Sequence, residues 1–193
     1  MITVADIRAA MADFEPQLLP HQLDMKKAAV AAVLRDTDGG AELLFIHRAE
    51  HPHDPWSGHM AFPGGRMHGE DRNEIAAAIR ETREELGLDL AVEGEALGRL
   101  SDVAAVSRGR PLSLVIVPHV FAIHGQPQLQ PNHEVAEIVW VPLSFLANYG
   151  NRSTLDWKLG GMTIPLPCYR FRDKVIWGLT FGMLDELLSI LER

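Results

Sequence analysis

The sequence predicts an α/β fold in which helices sandwich a mixed β-sheet. Three observations carry that expectation. Runs rich in Val, Ile and Leu recur at strand length between turn signals. Helical periodicity appears near each end of the chain and once in its middle. Strands and helices in this order bury their apolar faces when helix layers cover a sheet. At 193 residues and 47% apolar content the chain suits one domain with a sizeable core, and it contains no internal repeat or low-complexity linker.

Residues 4–14 read as an amphipathic helix followed by a Pro-bearing connection, so residues 1–20 form a leading segment and 21–193 the main domain. Residues 26–35 and 42–48 read as strands joined by Asp36-Thr37-Asp38-Gly39-Gly40, a hairpin signature. A loop rich in His and Pro spans 50–59, and Phe62-Pro63-Gly64-Gly65 makes a turn. The central helix starts at Asp71-Arg72-Asn73-Glu74, which has the form of a capping box, and stops at Gly87. Strands are expected near 96–101, 112–123 and 135–141, with a loop at 126–133. A short helix begins at Pro142, a strand pair occupies 162–171, and residues 182–192 close the chain as a helix. Trp140 and Trp177, in apolar strands, read as core residues.

Charge and cysteine content narrow the function classes. The formal charge of -8 and the lack of a basic tract disfavour nucleic acid as a partner, and they mean that an anionic substrate is repelled without a metal. Cys168 is the only cysteine, so neither an internal disulfide nor a Cys-based zinc site is available. The first residues carry Asp6, Arg8 and Asp13 rather than an apolar signal core, and no run approaches bilayer-spanning length. No membrane partner is therefore expected, and the cytoplasm, or an organelle lumen reached without a recognisable signal, is the default location. The oligomeric state is open, a homodimer included.

The most informative stretch is Arg80-Glu81-Thr82-Arg83-Glu84-Glu85-Leu86-Gly87. At about 100° per residue, Glu81, Glu84 and Glu85 fall within an arc of about 100° on the helix. Ile75, Ile79, Thr82 and Leu86 form a separate stripe at spacings of four, three and four, which predicts the buried face and leaves the carboxylates outside the core. Arg80 lies one turn before Glu84 and can pair with it. Acids bunched at the negative end of a helix dipole are locally unfavourable, and a bound cation offsets that cost. Mg²⁺ or Mn²⁺, held by carboxylates, waters and substrate phosphates, fits such a cluster. An ordinary solvated helix face is the competing reading.

These residues resemble the signature of the Nudix hydrolases, G-x5-E-x7-R-E-U-x-E-E-x-G-U with U bulky and apolar. Arg80, Glu81, Glu84, Glu85, Gly87 and Leu88 match its second half. In the first half, counting from Gly65, Asp71 holds the acidic place, one extra residue precedes Arg80, and Thr82 stands where an apolar residue is usual. The branch that cleaves coenzyme A carries an upstream pattern like L-L-x-x-R-[SA]-x3-R-x3-G-x3-F-P-G-G and the same extra residue. Leu44-Phe45-Ile46-His47-Arg48-Ala49 and Gly58-His59-Met60-Ala61-Phe62-Pro63-Gly64-Gly65 are similar to it, with His53 or Asp54 in place of the second Arg. Glu134-Val135-Ala136-Glu137 and Ile176-Trp177-Gly178-Leu179-Thr180 also look like that branch.

The resemblance implies an α/β/α fold and metal-dependent hydrolysis of coenzyme A or its acyl derivatives. The products would be 4'-phosphopantetheine and adenosine 3',5'-bisphosphate. It implies Glu81 and Glu85 as metal ligands with a Gly65 carbonyl nearby, and Glu84 as a third ligand or its partner. Gly64 and Gly65 allow the backbone to approach a diphosphate without a Cβ in the way. Glu134, after Pro131-Asn132-His133, is the candidate general base on a flexible segment, against the plainer reading of an exposed loop acid. Arg48 is expected to face the substrate phosphates. Arg108 and Arg110, in the loop before strand 112–123, are candidates for a 3'-phosphate, and Trp56 for a lid or a ring that stacks on adenine. His47, His51, His53, His59 and His68 lack zinc-site spacing. Two rivals remain: hydrolysis of a nucleotide sugar or ADP-ribose, and a silent nucleotide-binding module.

Overall fold

Helix α1 (Val4–Ala12) is fixed at its start by a capping box in which Thr3 Oγ1 accepts the Asp6 amide and the Asp6 carboxylate accepts the Thr3 amide. In this computed structural model, which describes residues 1–20, 25–52, 56–107 and 109–192, Val4, Ile7 and Met11 of α1 are buried in the main core. Strands β1 (Lys26–Thr37) and β2 (Gly40–Arg48) form the expected hairpin, with Thr37 opposite Gly40 across Asp38 and Gly39. Gly40 takes φ 100°, the left-handed conformation that the turn needs.

Short strands β3 (Met60–Ala61) and β4 (Gly64–Arg66) precede helix α2 (Glu74–Leu86). A single turn, α3 (Leu90–Glu93), leads to β5 (Gly94–Arg99), β6 (Val103–Ser107), β7 (Arg110–Ile123) and β8 (Val135–Pro142). These strands make one eight-stranded sheet with the order β3-β2-β1-β7-β5, to which β4 adds on β1, β6 on β7 and β8 on β2. The β1–β7 pairing is parallel and the others are antiparallel, so the sheet is mixed as expected. After α4 (Leu143–Leu146), strands β9 (Arg152–Leu159), β10 (Met162–Phe171) and β11 (Lys174–Trp177) form a second, antiparallel sheet, and α5 (Gly178–Ile190) closes the fold.

Alternation along β1 shows why helices cover both faces. Ala29, Ala31 and Val33 pack with Ala77, Ala78 and Leu86 of α2. Ala32 and Leu34 point the other way, into the cluster that holds Ile7, Met11, Leu184 and Leu187. Small residues on both sides of the first contact seat α2 close to the sheet, which brings its last two turns beside β4.

Several expectations need correction. Asn73, not Asp71, caps α2: its side chain accepts the Ala76 amide, while Asp71 is drawn to Arg80. Residues 162–171 are one strand rather than a pair, because turns lie outside that range, at Gly160-Gly161 (φ 56° and 85°) and at Arg172 (φ 56°). Arg110, expected in a loop, instead opens β7, which pairs with β6. Arg108, His53 and Asp54 lie outside the described residues. The last helix begins four residues earlier than expected, directly after β11. Trp140 is half-buried, with the Arg35 guanidinium stacked 3.9 Å from its ring centroid. Among the described residues no helix is long and apolar enough to cross a membrane.

Candidate active site

The site grows from the last turns of α2. Gly87 ends the helix at φ 70°. Two of its final carbonyls are taken by the following loop: Gln130 donates its amide to Leu86 O at 2.8 Å and Asn132 to Glu85 O at 2.9 Å. The segment expected to be flexible before Glu134 is thus bonded to the end of α2 at two points. Asn132 Oδ1 also accepts the Glu134 amide, and the Glu134 carbonyl accepts the Ala49 amide, each at 2.8 Å. Glu134 is exposed and already lines the cavity beside α2.

Arg80 organises the carboxylates. Its Nε and Nη2 form a two-pronged pair with Asp71, both at 2.9 Å, and Nη2 also donates to the Arg66 carbonyl at 3.0 Å. Nη1 donates to Glu81 at 2.9 Å and to Glu84 at 3.2 Å. All five N–H groups are engaged, more than the single Glu84 pair that helix spacing predicts. Asp71 thus does the work expected of the acidic place in the loop. Its Arg80 and His68 partners hold its carboxyl below the ordinary range.

Glu85 overturns one expectation. It is 2% exposed, in line with Ala78 and Thr82 on the buried side of α2, whereas Ile75 and Ile79 are only partly buried. The helix is rotated so that a carboxylate enters the core face. Its Oε2 accepts the Gly64 amide at 2.8 Å, which satisfies one buried oxygen. Burial raises its pKa to about 8, opposed by the Gly64 amide and the nearby Arg48 charge and reinforced by Glu81 and Glu134. Glu81 is also raised by burial, with Arg80 acting against the shift. Thr82, unusual at its place, returns its hydroxyl to Ala78 O at 2.7 Å and leaves no orphan donor.

Gly64 and Gly65 are required by close approach. A Cβ on Gly64 would lie 2.3 Å from Ala29 O, and the residue sits at φ 147°. On Gly65 it would lie 2.5 Å from the Glu81 carboxyl carbon. Rather than a free turn, the pair belongs to β4, bonded to β1 opposite Ala28, Ala29 and Val30.

A cavity of about 540 Å³ opens beside these residues. Glu81, Glu84, Glu134, Arg48, Arg66 and His68 line it, as do Trp56, Trp177, Leu114, Leu179 and Met183, of which Trp56 and Leu179 pack against the cluster that holds Leu114. Glu85 stands behind the wall, bonded to Gly64. Trp177 is not a core residue as expected: it is half-buried, faces the cavity, and packs 4.8 Å from the His59 ring. Arg66 is not singled out by the sequence, although it directly follows Gly64-Gly65, while His68 stands out only as one of five histidines without zinc-site spacing and Trp177 only as a core candidate; all three line the cavity. Arg110 is exposed at the start of β7 and is not among the lining residues.

No three His, Cys, Asp or Glu side chains converge as a ready metal cage among the described residues. The reason is local: Arg80 holds Glu81 and Glu84, and Gly64 holds Glu85. A hard cation that keeps waters and takes substrate oxygens still fits, because it needs only one or two protein carboxylates. The buried carboxylates favour such a guest, since a cation at their side restores the ionised form that burial disfavours.

A NUDIX domain is matched across residues 25–158. The chain is 32% identical over 168 residues to a human protein named mitochondrial coenzyme A diphosphatase NUDT8, covering 85% of this chain and 69% of that one. It is 29% identical over 189 residues to the Nudix hydrolase NudL of an Enterobacter strain, covering 96% and 93%. A MutT/nudix family protein from Enterococcus faecalis shares the fold with a TM-score of 0.61 at 19% identity, over 99% of this chain and 70% of that one. With that domain over most of its length and the Arg80–Glu85 helix set against Gly64 and Gly65, the chain belongs to the Nudix hydrolases, pyrophosphohydrolases of nucleoside diphosphate derivatives that work with a divalent metal ion.

Proposed function

We propose that this enzyme hydrolyses the diphosphate linkage of coenzyme A or its acyl derivatives, with Mg²⁺ or Mn²⁺, to give 4'-phosphopantetheine and adenosine 3',5'-bisphosphate. One observation supports the choice: a single cavity is lined both by carboxylates and by aromatic and apolar side chains, which suits a diphosphate that carries an adenine and a long, weakly polar arm. The identity to a human protein named as a coenzyme A diphosphatase supports the same choice.

In this reading Glu81 and Glu85 hold the metal, with Glu84 and a Gly65 carbonyl beside them. The metal, when bound, neutralises the diphosphate oxygens and activates a water. Arg80 fixes the carboxylates, and Arg48 steadies a phosphate. Glu134 takes the proton of the attacking water. The water oxygen bonds to one phosphorus, the bridging P–O bond breaks, and the electron pair leaves with the other phosphate.

Incubation with Mg²⁺ or Mn²⁺ and a panel of diphosphates, with products identified by mass, tests the reading. Release of phosphopantetheine supports it. Cleavage confined to nucleotide sugars or ADP-ribose, or binding without turnover, overturns it.

A further inference from the structure

We infer that Arg66 binds a phosphoryl group of the substrate that is separate from the diphosphate, so that the enzyme selects a nucleoside carrying an additional phosphate. The inference rests on the diphosphatase reading above and specifies which substrates that site prefers.

The positive charges around the cavity are not equivalent. Arg80 has no N–H left for a ligand, because Asp71, Glu81, Glu84 and the Arg66 carbonyl engage all five. Arg48, at the end of β2, stands near Glu85, on the side of the site where Ala49 is tied to Glu134. Arg66 differs from both. It lines the cavity and is exposed, and no hydrogen bond or ion pair of its guanidinium is found among the described residues. A guanidinium on a cavity wall, without a carboxylate partner among the described residues in a chain of net charge -8, is suited to an anionic ligand.

Its position says which anion. The Arg66 backbone is held on both sides, paired with Ala28 in β1 and bonded through its carbonyl to Arg80. Its predecessor Gly65 lies against the Glu81 carboxylate, so the diphosphate zone begins one residue away. Its cross-strand partner Ala28 belongs to the apolar cluster with Leu114, against which Trp56 packs. Arg66 therefore sits at the seam between the carboxylate part and the aromatic part of the cavity. A nucleoside whose base rests on the aromatic part and whose diphosphate rests at Glu81 brings its ribose to this seam. A phosphate on that ribose meets the planar fork of Arg66.

The test compares coenzyme A with its 3'-dephospho form, using Mg²⁺ and the whole enzyme, in the parent, Arg66→Met and Arg66→Lys. The parent is expected to favour the 3'-phosphorylated substrate in kcat/KM by about ten- to a hundredfold, mainly through KM, and less at high salt. Arg66→Met brings that ratio to within about twofold of one, and Arg66→Lys recovers part of it. The carbonyl that Arg80 needs is backbone, so it survives both substitutions. A parent that cleaves both forms equally well, or an Arg66→Met enzyme that keeps a tenfold preference, overturns this inference while leaving the diphosphatase reading in place. Failure to cleave either form sinks the reading itself, and this inference with it.

Discussion

The Gly64 amide donates to Oε2 of Glu85 across 2.8 Å, joining residues 21 apart in sequence. That bond puts one end of the glycine strand and the last turn of α2 into a single unit, and it leaves a buried carboxylate whose charge the Gly64 amide and Arg48 offset only in part.

Glu85 therefore makes stability depend on pH. Its folded pKa, about 8, lies above the ordinary 4.5, so the folded state holds this proton more tightly than the unfolded state. Its contribution is complete below about pH 4.5 and is lost as pH rises through about 8. Urea unfolding of chelator-treated protein should show this decline, on the order of a few kcal/mol at most. Glu85→Gln keeps an acceptor for Gly64 but has no proton to lose, so it should flatten the slope and abolish turnover with the fold intact. Retained activity would exclude Glu85 from the metal site.

Divalent cations should reverse the same slope. Mn²⁺ favours ionised carboxylates, so the melting temperature should rise with its concentration, and the unfolding free energy should gain about 2.7 kcal/mol at one hundred times Kd. Chelation should remove both the gain and the activity. A melting curve indifferent to Mn²⁺ and Mg²⁺ would count against a carboxylate-held cation.

Arg80→Lys should cost both stability and rate. A lysine cannot hold the Asp71 fork, Glu81, Glu84 and the Arg66 carbonyl together, and the Asp71 side chain is only 4% exposed. Lysine keeps the charge and loses the fork, so a loss of about 2 kcal/mol is expected. Denaturant unfolding and kcat measure the two effects. A variant with parental kcat would show that Arg80 does not position the catalytic acids.

Gly64→Ala meets the Ala29 carbonyl and a left-handed φ, so a loss of at least about 2 kcal/mol is expected. Gly69→Ala, with no atom within 4 Å of its Cβ position, should be close to neutral. Calorimetry on the two variants separates a required glycine from a permissive one.

His119 produces the opposite limb of the pH profile. It is buried on β7, its Nε2 has no partner among the described residues, and burial followed by the Arg99 charge lowers its pKa to about 4. Its neutral form is favoured in the folded state, so stability is full above about 6.5 and falls as pH drops through about 4. His119→Leu should flatten that limb, as read by unfolding midpoints between pH 7 and 4. An unchanged acid limb in the variant would assign the loss to other groups.

Much of this was legible in the residues because it depends on local pattern. The α/β class, the β1–β2 hairpin at Asp38-Gly39 and the stop of α2 at Gly87 follow from periodicity and turn chemistry, and the Nudix relationship shows as a resemblance of Arg80 to Leu88 to that family's signature. Local pattern misled where two segments compete for one group. Asp71 looks like a helix cap until Arg80, nine residues on, draws it away, and Trp177 looks like core until the cavity opens beside it. The sequence by itself determined which elements form and which residues carry charge, since both are set by neighbours along the chain. It took the folded arrangement to bury Glu85, to engage every N–H of Arg80 and to leave Arg66 without a partner among the described residues. Desolvation and partnership depend on what lies across space, and no spacing rule along the chain contains that information.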